Sequence, residues 1–319
     1  MRSKGEKMNK LSDIGEFGLI QKIANKFQAD ESVFKRIGDD CAVLENEDDY
    51  TLMTTDMLVE GDHFNLDWHT PWQIGWKSVI VNISDIAAMG GLPQWGLVSI
   101  AFPDDVEVDL AERIFDGMAE ASEKHGLKMI GGDTTHGDLL TINVAVIGRV
   151  EKENLCMRGD AEIGDLICVS DDLGKSWAGL ELFRAGKEGY TDYYLRPRCR
   201  LETAREISPY VNAMIDVSDG LSSEVRHICE ESGTGAEIEK KKVPISEKTR
   251  KTGEKLNIDP MKWALYGGED FELVFTIPED RIAEIEKADP IVVGKIKEGG
   301  MYIINGEKKE LGEGYDHFS

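Results

Sequence analysis

The stretch SVIVNISDIAAMGG (78–91) decides much of the fold, because it places one carboxylate inside an otherwise apolar helix. Pro71 stands upstream at a favourable first-turn position, and the Gly90-Gly91 pair ends the pattern, so the sequence predicts a helix between them. A solvent-facing Asp85 is the simpler interpretation. Asp85 has too few polar neighbours to form a broad polar face, however, and this favours a buried, functional carboxylate.

Strand and helix patterns alternate on both sides of this helix. Periodicity predicts further helices at 15–28, 109–125, 175–186, 197–208 and 279–287, and one that ends near residue 231. It predicts strands at 51–55, 95–102, 128–130, 139–150, 166–170, 213–217, 271–277, 290–296 and 301–305. The least patterned segment, 151–165, is the predicted boundary between an N-terminal domain (1–151) and a C-terminal domain (152–319). We therefore expect an α/β (α+β) protein of two domains.

The composition argues against several classes of protein. The chain has 319 residues, enough for two cores, and its 61 acidic and 37 basic residues give a net charge of −24. Such a field would repel a phosphate backbone, so nucleic acid is not an expected partner. The sequence has no signal-type segment and no run of about 18 apolar residues, so we expect no membrane association and a cytoplasmic location. The five cysteines are scattered without a CxxC pair, which indicates neither a disulfide framework nor a zinc site.

Aspartate recurs beside glycine or within apolar runs in six short motifs. They are IGDDCAVL (37–44), TTDMLVEGDHF (54–64), VNISDIAAMGG (81–91), IGGDTT (130–135), IDVSDGLSSE (215–224) and YGGEDFELVF (266–275). One such motif is usually a turn. Six of them, with apolar flanks and few basic residues nearby, indicate that the carboxylates have divalent cations as partners.

Magnesium is the cation that this pattern favours, because it is held by one or two carboxylates together with substrate phosphates. The sequence contains no GxxxxGK[ST], GxSxG or HExxH motif, and no GxGxxG that follows a strand. Phosphoryl transfer needs mainly positioning and charge neutralisation, which several Mg²⁺ ions between two polyanions would supply. The sequence therefore predicts Mg²⁺-dependent transfer from ATP to a phosphorylated small molecule. A non-catalytic cation-binding protein remains an alternative.

These motifs in this order, together with GYDHF (314–318), resemble the thiamine-monophosphate kinase family from Gly15 to Phe318. The family belongs to a wider group with aminoimidazole ribonucleotide synthetase, selenophosphate synthetase and a hydrogenase-maturation enzyme. The resemblance implies two α/β domains and a homodimer in which the N-terminal sheets pair. It also implies direct transfer from ATP to thiamine monophosphate, with several Mg²⁺ ions and no covalent phospho-enzyme. The sister enzymes remain alternatives, but this sequence has no cysteine before Cys41 and ends in HFS rather than in a functional cysteine.

The resemblance also implies a set of site residues. It assigns Mg²⁺ to Asp39, Asp40, Thr54, Thr55, Asp56, Asp85, Asp133, Asp216 and Asp219. It assigns ATP to Phe115, Gly132, Asp133, Arg158 and Ser218, and thiamine monophosphate to His63, Glu269 and Tyr315. Taken as residues alone, Phe115 could be a core residue, Arg158 a surface ion pair, His63 a surface histidine and Tyr315 a packed terminal residue. Lys175 departs from the resemblance, since relatives often carry aspartate there.

Overall fold

The computed structural model describes residues 10–24, 26–27 and 29–312, without the side chains of Ser12, Phe17 and Gln21. Its helices are α1 (Gly15–Ala24), α2 (Pro71–Ala88), α3 (Val108–His125), α4 (Lys175–Arg184), α5 (Asp192–Leu195), α6 (Leu201–Ile207), α7 (Leu221–Ser232), α8 (Glu247–Leu256) and α9 (Pro260–Tyr266). A 3₁₀ helix spans Glu279–Ala288. Among the described residues, no helix combines the length and the apolar character needed to cross a membrane.

The strands form two sheets. The N-terminal sheet has the order β1-β2-β3-β6-β4-β5, with β1 (Val33–Lys35), β2 (Ala42–Glu45), β3 (Asp49–Val59), β4 (Leu92–Phe102), β5 (Lys128–His136) and β6 (Thr141–Glu151). The C-terminal sheet has the order β13-β12-β9-β11-β7-β10-β8, with β7 (Leu166–Val169), β8 (Ala213–Asp216), β9 (Gly235–Glu239), β10 (Leu273–Ile277), β11 (Ile291–Lys297), β12 (Met301–Asn305) and β13 (Glu307–Glu310). Two mixed sheets with their own helices confirm the predicted α/β (α+β) class.

Helix α2 lies at the centre of the molecule. Thr70 caps its start, since the Gln73 amide donates to the Thr70 hydroxyl and the Gln73 side chain accepts from the Thr70 amide. Within Ile74–Ala88, every residue except Asp85 is buried. Ile83 of this helix shares one apolar core with Phe275 of the C-terminal sheet. A helix covered on all sides has an almost continuously apolar sequence, and this explains why α2 could be predicted.

Helix α3 packs closely on α2 at two glycines. A Cβ atom on Gly75 would lie 1.8 Å from the Ile114 carbonyl oxygen, and one on Gly117 would lie 1.9 Å from the Trp72 carbonyl oxygen. Only glycine allows this approach of the two backbones. The pair of helices covers one face of the N-terminal sheet and fixes the orientation of α2 relative to β3.

Several predicted elements differ from the observed ones at their ends. The predicted strand 128–130 extends to His136, because β5 pairs in parallel with β4 along its length. The predicted strand 271–277 begins only at Leu273, because Glu269 (φ 64°) and Phe271 (φ 50°) adopt left-handed backbone conformations. These two residues form the loop that leads into the candidate site.

Candidate active site

Three carboxylates from distant parts of the chain meet at one end of α2. Asp40 precedes β2, Asp85 lies in α2, and Asp216 ends β8; one oxygen of each lies within 4.8 Å of the others. The Oδ2 atom of Asp40 is buried and has no hydrogen-bond partner among the residues that the structure describes. An unpartnered buried carboxylate oxygen beside two further carboxylates fits a divalent cation.

Polar side chains next to Asp85 hold this cluster in place. The Thr54 hydroxyl donates to Asp85 Oδ2 at 2.5 Å, and the Ser84 hydroxyl donates to Asp216 Oδ2 at 2.5 Å. The Asn82 side-chain oxygen accepts from the backbone amide of Asp56 at 3.0 Å. Sequence reasoning noted Asn82 and Ser84 only as too few for a polar face, and it missed their role as supports.

Burial and mutual repulsion strongly raise the pKa values of the acids in and around the cluster. Burial, followed by the charges of neighbouring aspartates, raises the pKa of Asp85 and of Asp216 well above the ordinary range. Burial raises the pKa of Asp56 to about 6, although its hydrogen bond with Asp85 opposes this shift. Burial and the charge of Asp40 raise the pKa of Asp39 to about 7. The cluster is therefore short of positive charge.

Arg158 is a cation that contacts two of these acids, and the Lys35 ammonium also lies 3.6 Å from Asp39 Oδ2. Its guanidinium donates to Asp40 Oδ1 at 2.5 Å, and its backbone amide donates to both carboxylate oxygens of Asp39 at 3.3 Å. The ion pair expected for Arg158 as a simple alternative therefore exists, but it is made with predicted metal ligands and is not a surface pair. Arg158 lies where it could also meet a phosphate that reaches the cluster.

Two loops of the C-terminal domain run side by side at the site. The Glu269 amide donates to the Ser218 carbonyl at 2.8 Å, and the Phe271 amide donates to the Val217 carbonyl at 2.9 Å. The Asp219 amide donates to Glu224 Oε1 at 2.7 Å, a buried carboxylate that the sequence analysis did not single out. The predicted residues Asp216, Ser218, Asp219 and Glu269 thus belong to one hydrogen-bonded unit.

His63, a second predicted substrate residue, is connected to this unit through Lys77. The Lys77 ammonium lies 2.6 Å from Glu269 Oε1 and donates to the His63 carbonyl at 2.6 Å. It also lies 5.3 Å from the centre of the Tyr194 ring. Sequence reasoning missed Lys77, although a lysine within an apolar helix was a signal of the same kind as Asp85.

Other predicted residues lie apart from the cluster. The Thr55 hydroxyl contacts Asn143 Oδ1 and the Val144 carbonyl on the opposite face of β3, since neighbouring strand residues point to opposite faces. Asp133 and Gly132 lie on the edge strand β5, three strands from β3, which corresponds to about 14 Å. Phe115 is 40% exposed on α3 and is therefore not the core residue of the simpler interpretation. Tyr315 lies outside the described residues.

Both halves of the chain match known domain families. Residues 38–150 match the N-terminal domain of AIR synthase related proteins, and residues 162–305 match the C-terminal domain of the same group. The two halves of the chain, each with its own sheet, are therefore the N- and C-terminal domains of an AIR synthase-related protein.

Comparison with individual proteins narrows this class. Thiamine-monophosphate kinase from Aquifex aeolicus (strain VF5) is 38% identical over 97% of this chain and 100% of that protein. The enzyme of that name from Escherichia coli (strain K12) is 34% identical over 96% of this chain and 98% of that protein. The structure of AaThiL complexed with AMPPCP and TMP is 36% identical, with a TM-score of 0.90 over 98% of this chain and 100% of that chain. The chain belongs to the thiamine-monophosphate kinase family.

A hydrogenase maturation protein, HypE, shares the fold at a lower sequence identity. The structure of HypE in complex with ATP is 18% identical, with a TM-score of 0.68 over 82% of this chain and 84% of that chain. At this identity the likeness concerns the fold alone. The relatives that are more than 30% identical favour the kinase over this sister enzyme.

Proposed function

We propose that this chain transfers the terminal phosphoryl group of ATP to thiamine monophosphate, giving thiamine diphosphate and ADP. The observation that carries the proposal is the unpartnered Asp40 oxygen beside Asp85 and Asp216, in a chain that belongs to this family. The relative with TM-score 0.90 was solved with AMPPCP, an analogue of ATP, and with TMP. In the reaction, the bond between the terminal phosphorus and its bridging oxygen breaks, and an oxygen of the substrate phosphate forms the new bond.

We propose Mg²⁺ as the cation of this site, in several ions. The ligand set carried by the family resemblance is Asp39, Asp40, Thr54, Thr55, Asp56, Asp85, Asp133, Asp216 and Asp219. Raised pKa values at the buried members support it, because a cation would relieve their repulsion. Bound Mg²⁺ would supply charge neutralisation for two polyanionic substrates.

For the organic substrates we keep the assignments that the sequence predicts. ATP is assigned to Phe115, Gly132, Asp133, Arg158 and Ser218, and thiamine monophosphate to His63, Glu269 and Tyr315. The contact of Arg158 with Asp40 supports the assignment of Arg158 to ATP. The hydrogen bond between Glu269 and Ser218 supports a substrate residue next to an ATP residue. Gly312, the last described residue, lies three residues before Tyr315, and its carbonyl accepts from Ser222 and Arg226 of α7. Helix α7 starts directly after the loop 218–220, so these contacts bring the chain that leads to Tyr315 to the helix next to this loop. We also retain the domain boundary at 151/152 and a cytoplasmic location, where ATP is supplied.

We further propose that the protein is a homodimer that pairs its N-terminal sheets. The sheet face opposite α2 exposes a patch of apolar side chains from three of its strands: Met53 and Met57 of β3, Trp95 and Leu97 of β4, and Ile130 of β5. Apolar patches of this kind on a solvent-exposed face mark protein interfaces. The same face carries Thr55 and Asp133, so a dimer would set both against the second chain. This would give them a role that their distance from the cluster within one chain does not.

Replacing Leu97 with glutamate should convert the dimer to a monomer, because a charge would be buried at the centre of the paired faces. Light scattering of the purified protein measures the mass directly. Ile163→Glu is the matched control, since Ile163 is exposed on the C-terminal half, away from the N-terminal sheet. A parent protein of monomer mass would contradict the homodimer, and a dimeric Leu97→Glu variant would contradict this interface.

Chromatography of the purified protein with thiamine monophosphate, ATP and Mg²⁺ tests the proposed function. We expect thiamine diphosphate and ADP in equal amounts. ATP hydrolysis without thiamine diphosphate, or turnover of a different phosphorylated small molecule, would reject the substrate and point to the sister enzymes.

Mg²⁺ should stabilise the protein against thermal unfolding more at about pH 8 than at about pH 5. Burial raises the pKa of Asp39 from 3.8 to about 7 and that of Asp56 from 3.8 to about 6, so the native state holds these protons more tightly than the unfolded chain. Stability without metal is therefore lost as the pH rises from 3.8 through these values, and a bound cation should restore it. His69, whose pKa burial lowers to about 4, acts in the opposite sense. That contribution is the same with and without Mg²⁺, so it cancels in the comparison. Equal stabilisation at both pH values would exclude cation binding at the cluster.

A further inference from the structure

Lys77 is a buried lysine that joins the two domains at the substrate side of the site. Its side chain is fully buried, and its ammonium contacts Glu269, the His63 carbonyl and the Tyr194 ring. These partners come from three separate segments: the GGED loop (267–270), the turn 61–63 that follows β3, and α5. With these contacts, the ammonium has no exposed surface left for a ligand.

The same stripe of α2 makes a second polar link to the C-terminal domain. Ser84 follows Lys77 by seven residues, which places it two turns further on the same face, about 10 Å along the helix. Ser84 donates to Asp216, whereas Lys77 pairs with Glu269. Helix α2 therefore touches a proposed metal ligand at one point and a proposed substrate residue at the other.

The two loops that α2 touches are tied to each other. The Glu269 amide donates to the Ser218 carbonyl, two residues after Asp216. A Cβ atom on Gly268 would lie 2.0 Å from the same carbonyl oxygen, so the loops approach as closely as backbones can. Glu269 itself has φ of 64°, a conformation that a residue with a side chain keeps only when its surroundings hold it there. The Lys77 ammonium is one of those restraints.

We infer that Lys77 is a positioning residue, which holds Glu269 and the His63 turn in the geometry that accepts thiamine monophosphate. The inference rests on the proposed function and adds to it a residue that acts through others. A buried ion pair is seldom the most stable filling for such a position, since apolar side chains of the same size often stabilise more. The charge at residue 77 therefore serves to fix a geometry.

The test compares steady-state kinetics of Lys77→Met, Lys77→Arg and the parent. Lys77→Met keeps the aliphatic stem and removes the charge, so we expect KM for thiamine monophosphate to rise about tenfold or more. KM for ATP should stay close to that of the parent, because the substitution does not change the carboxylate cluster or Arg158. Lys295→Met is the matched control, as Lys295 pairs with Glu279 at 2.7 Å on the surface. It should change neither constant.

Lys77→Arg keeps the charge, so Glu269 stays paired, but its larger planar head cannot occupy the same point between Glu269 and the His63 carbonyl. We expect a raised KM for thiamine monophosphate and a melting temperature closer to that of the parent than the melting temperature of Lys77→Met. This variant decides the question if Lys77→Met does not fold. Unchanged KM for thiamine monophosphate in the folded variants, or equal rises for both substrates, would overturn the inference. Absence of thiamine diphosphate formation by the parent would instead reject the proposed function.

Discussion

Asp85→Asn should lower turnover by on the order of 10²–10³-fold or more, while the protein without metal becomes more stable. Asp85 is the one residue of Ile74–Ala88 that is only partly buried, and its oxygen lies with those of Asp40 and Asp216. The asparagine oxygen can still accept from the Thr54 hydroxyl, so the local packing survives. Loss of the negative charge removes a cation ligand, and it also removes repulsion from Asp56 and Asp216.

Opposite signs of the two effects make this prediction specific. Turnover is measured as thiamine diphosphate formed at saturating ATP and Mg²⁺, and stability as the melting temperature in EDTA. Asp280→Asn, an exposed position on the 3₁₀ helix, should change neither quantity. Turnover near that of the parent would remove Asp85 from the metal set. A lower melting temperature together with low turnover would indicate a structural role.

The prediction of Asp85 from sequence depended on a conflict between one residue and its surroundings. A carboxylate in an apolar helix needs a partner, and this requirement can be recognised without knowing where the partner comes from. Ser84 could not be assigned in the same way. A serine is tolerated in a buried helix, and its partner Asp216 is 132 residues away. Contacts of this range are set by the packing of the two domains, which the sequence does not display.

The TTD motif shows where sequence reasoning could have gone further. Side chains alternate along a strand, so Thr54 and Asp56 face α2 while Thr55 faces the other side of the sheet. The strand itself was predicted at 51–55, and alternation alone would have separated the three residues. The left-handed backbone of Glu269 and Phe271 is different in kind, because residues with side chains rarely adopt it and no local signal announces it.

Lys175, which departs from the family resemblance, belongs to a separate buried network and not to the carboxylate cluster of Asp40, Asp85 and Asp216. Its ammonium lies 2.9 Å from Glu272 Oε1 and 4.4 Å from the centre of the Tyr193 ring. Arg200 donates to both oxygens of Glu272, at 2.6 and 2.7 Å, and the Ser170 hydroxyl donates to Oε2 at 2.6 Å. The Glu272 carboxylate is only 1% exposed and accepts from all three side chains. It is the fully buried one of two anions, Glu272 and Asp171, that contact both cations.

Glu272→Gln should therefore destabilise the protein by about 3–5 kcal/mol, because it leaves the buried Lys175 and the half-buried Arg200 with too little negative charge. Asp171, which also contacts both cations, is 40% exposed at its side chain and can offset only part of the loss. Urea unfolding followed by circular dichroism measures the effect. Glu279→Gln is the matched control: it breaks an ion pair of similar length with Lys295, but on the surface, where water replaces the partner and little stability is lost. Equal shifts of the two urea midpoints would mean that burial adds nothing to the Glu272 network, and that Lys175 is tolerated there rather than required.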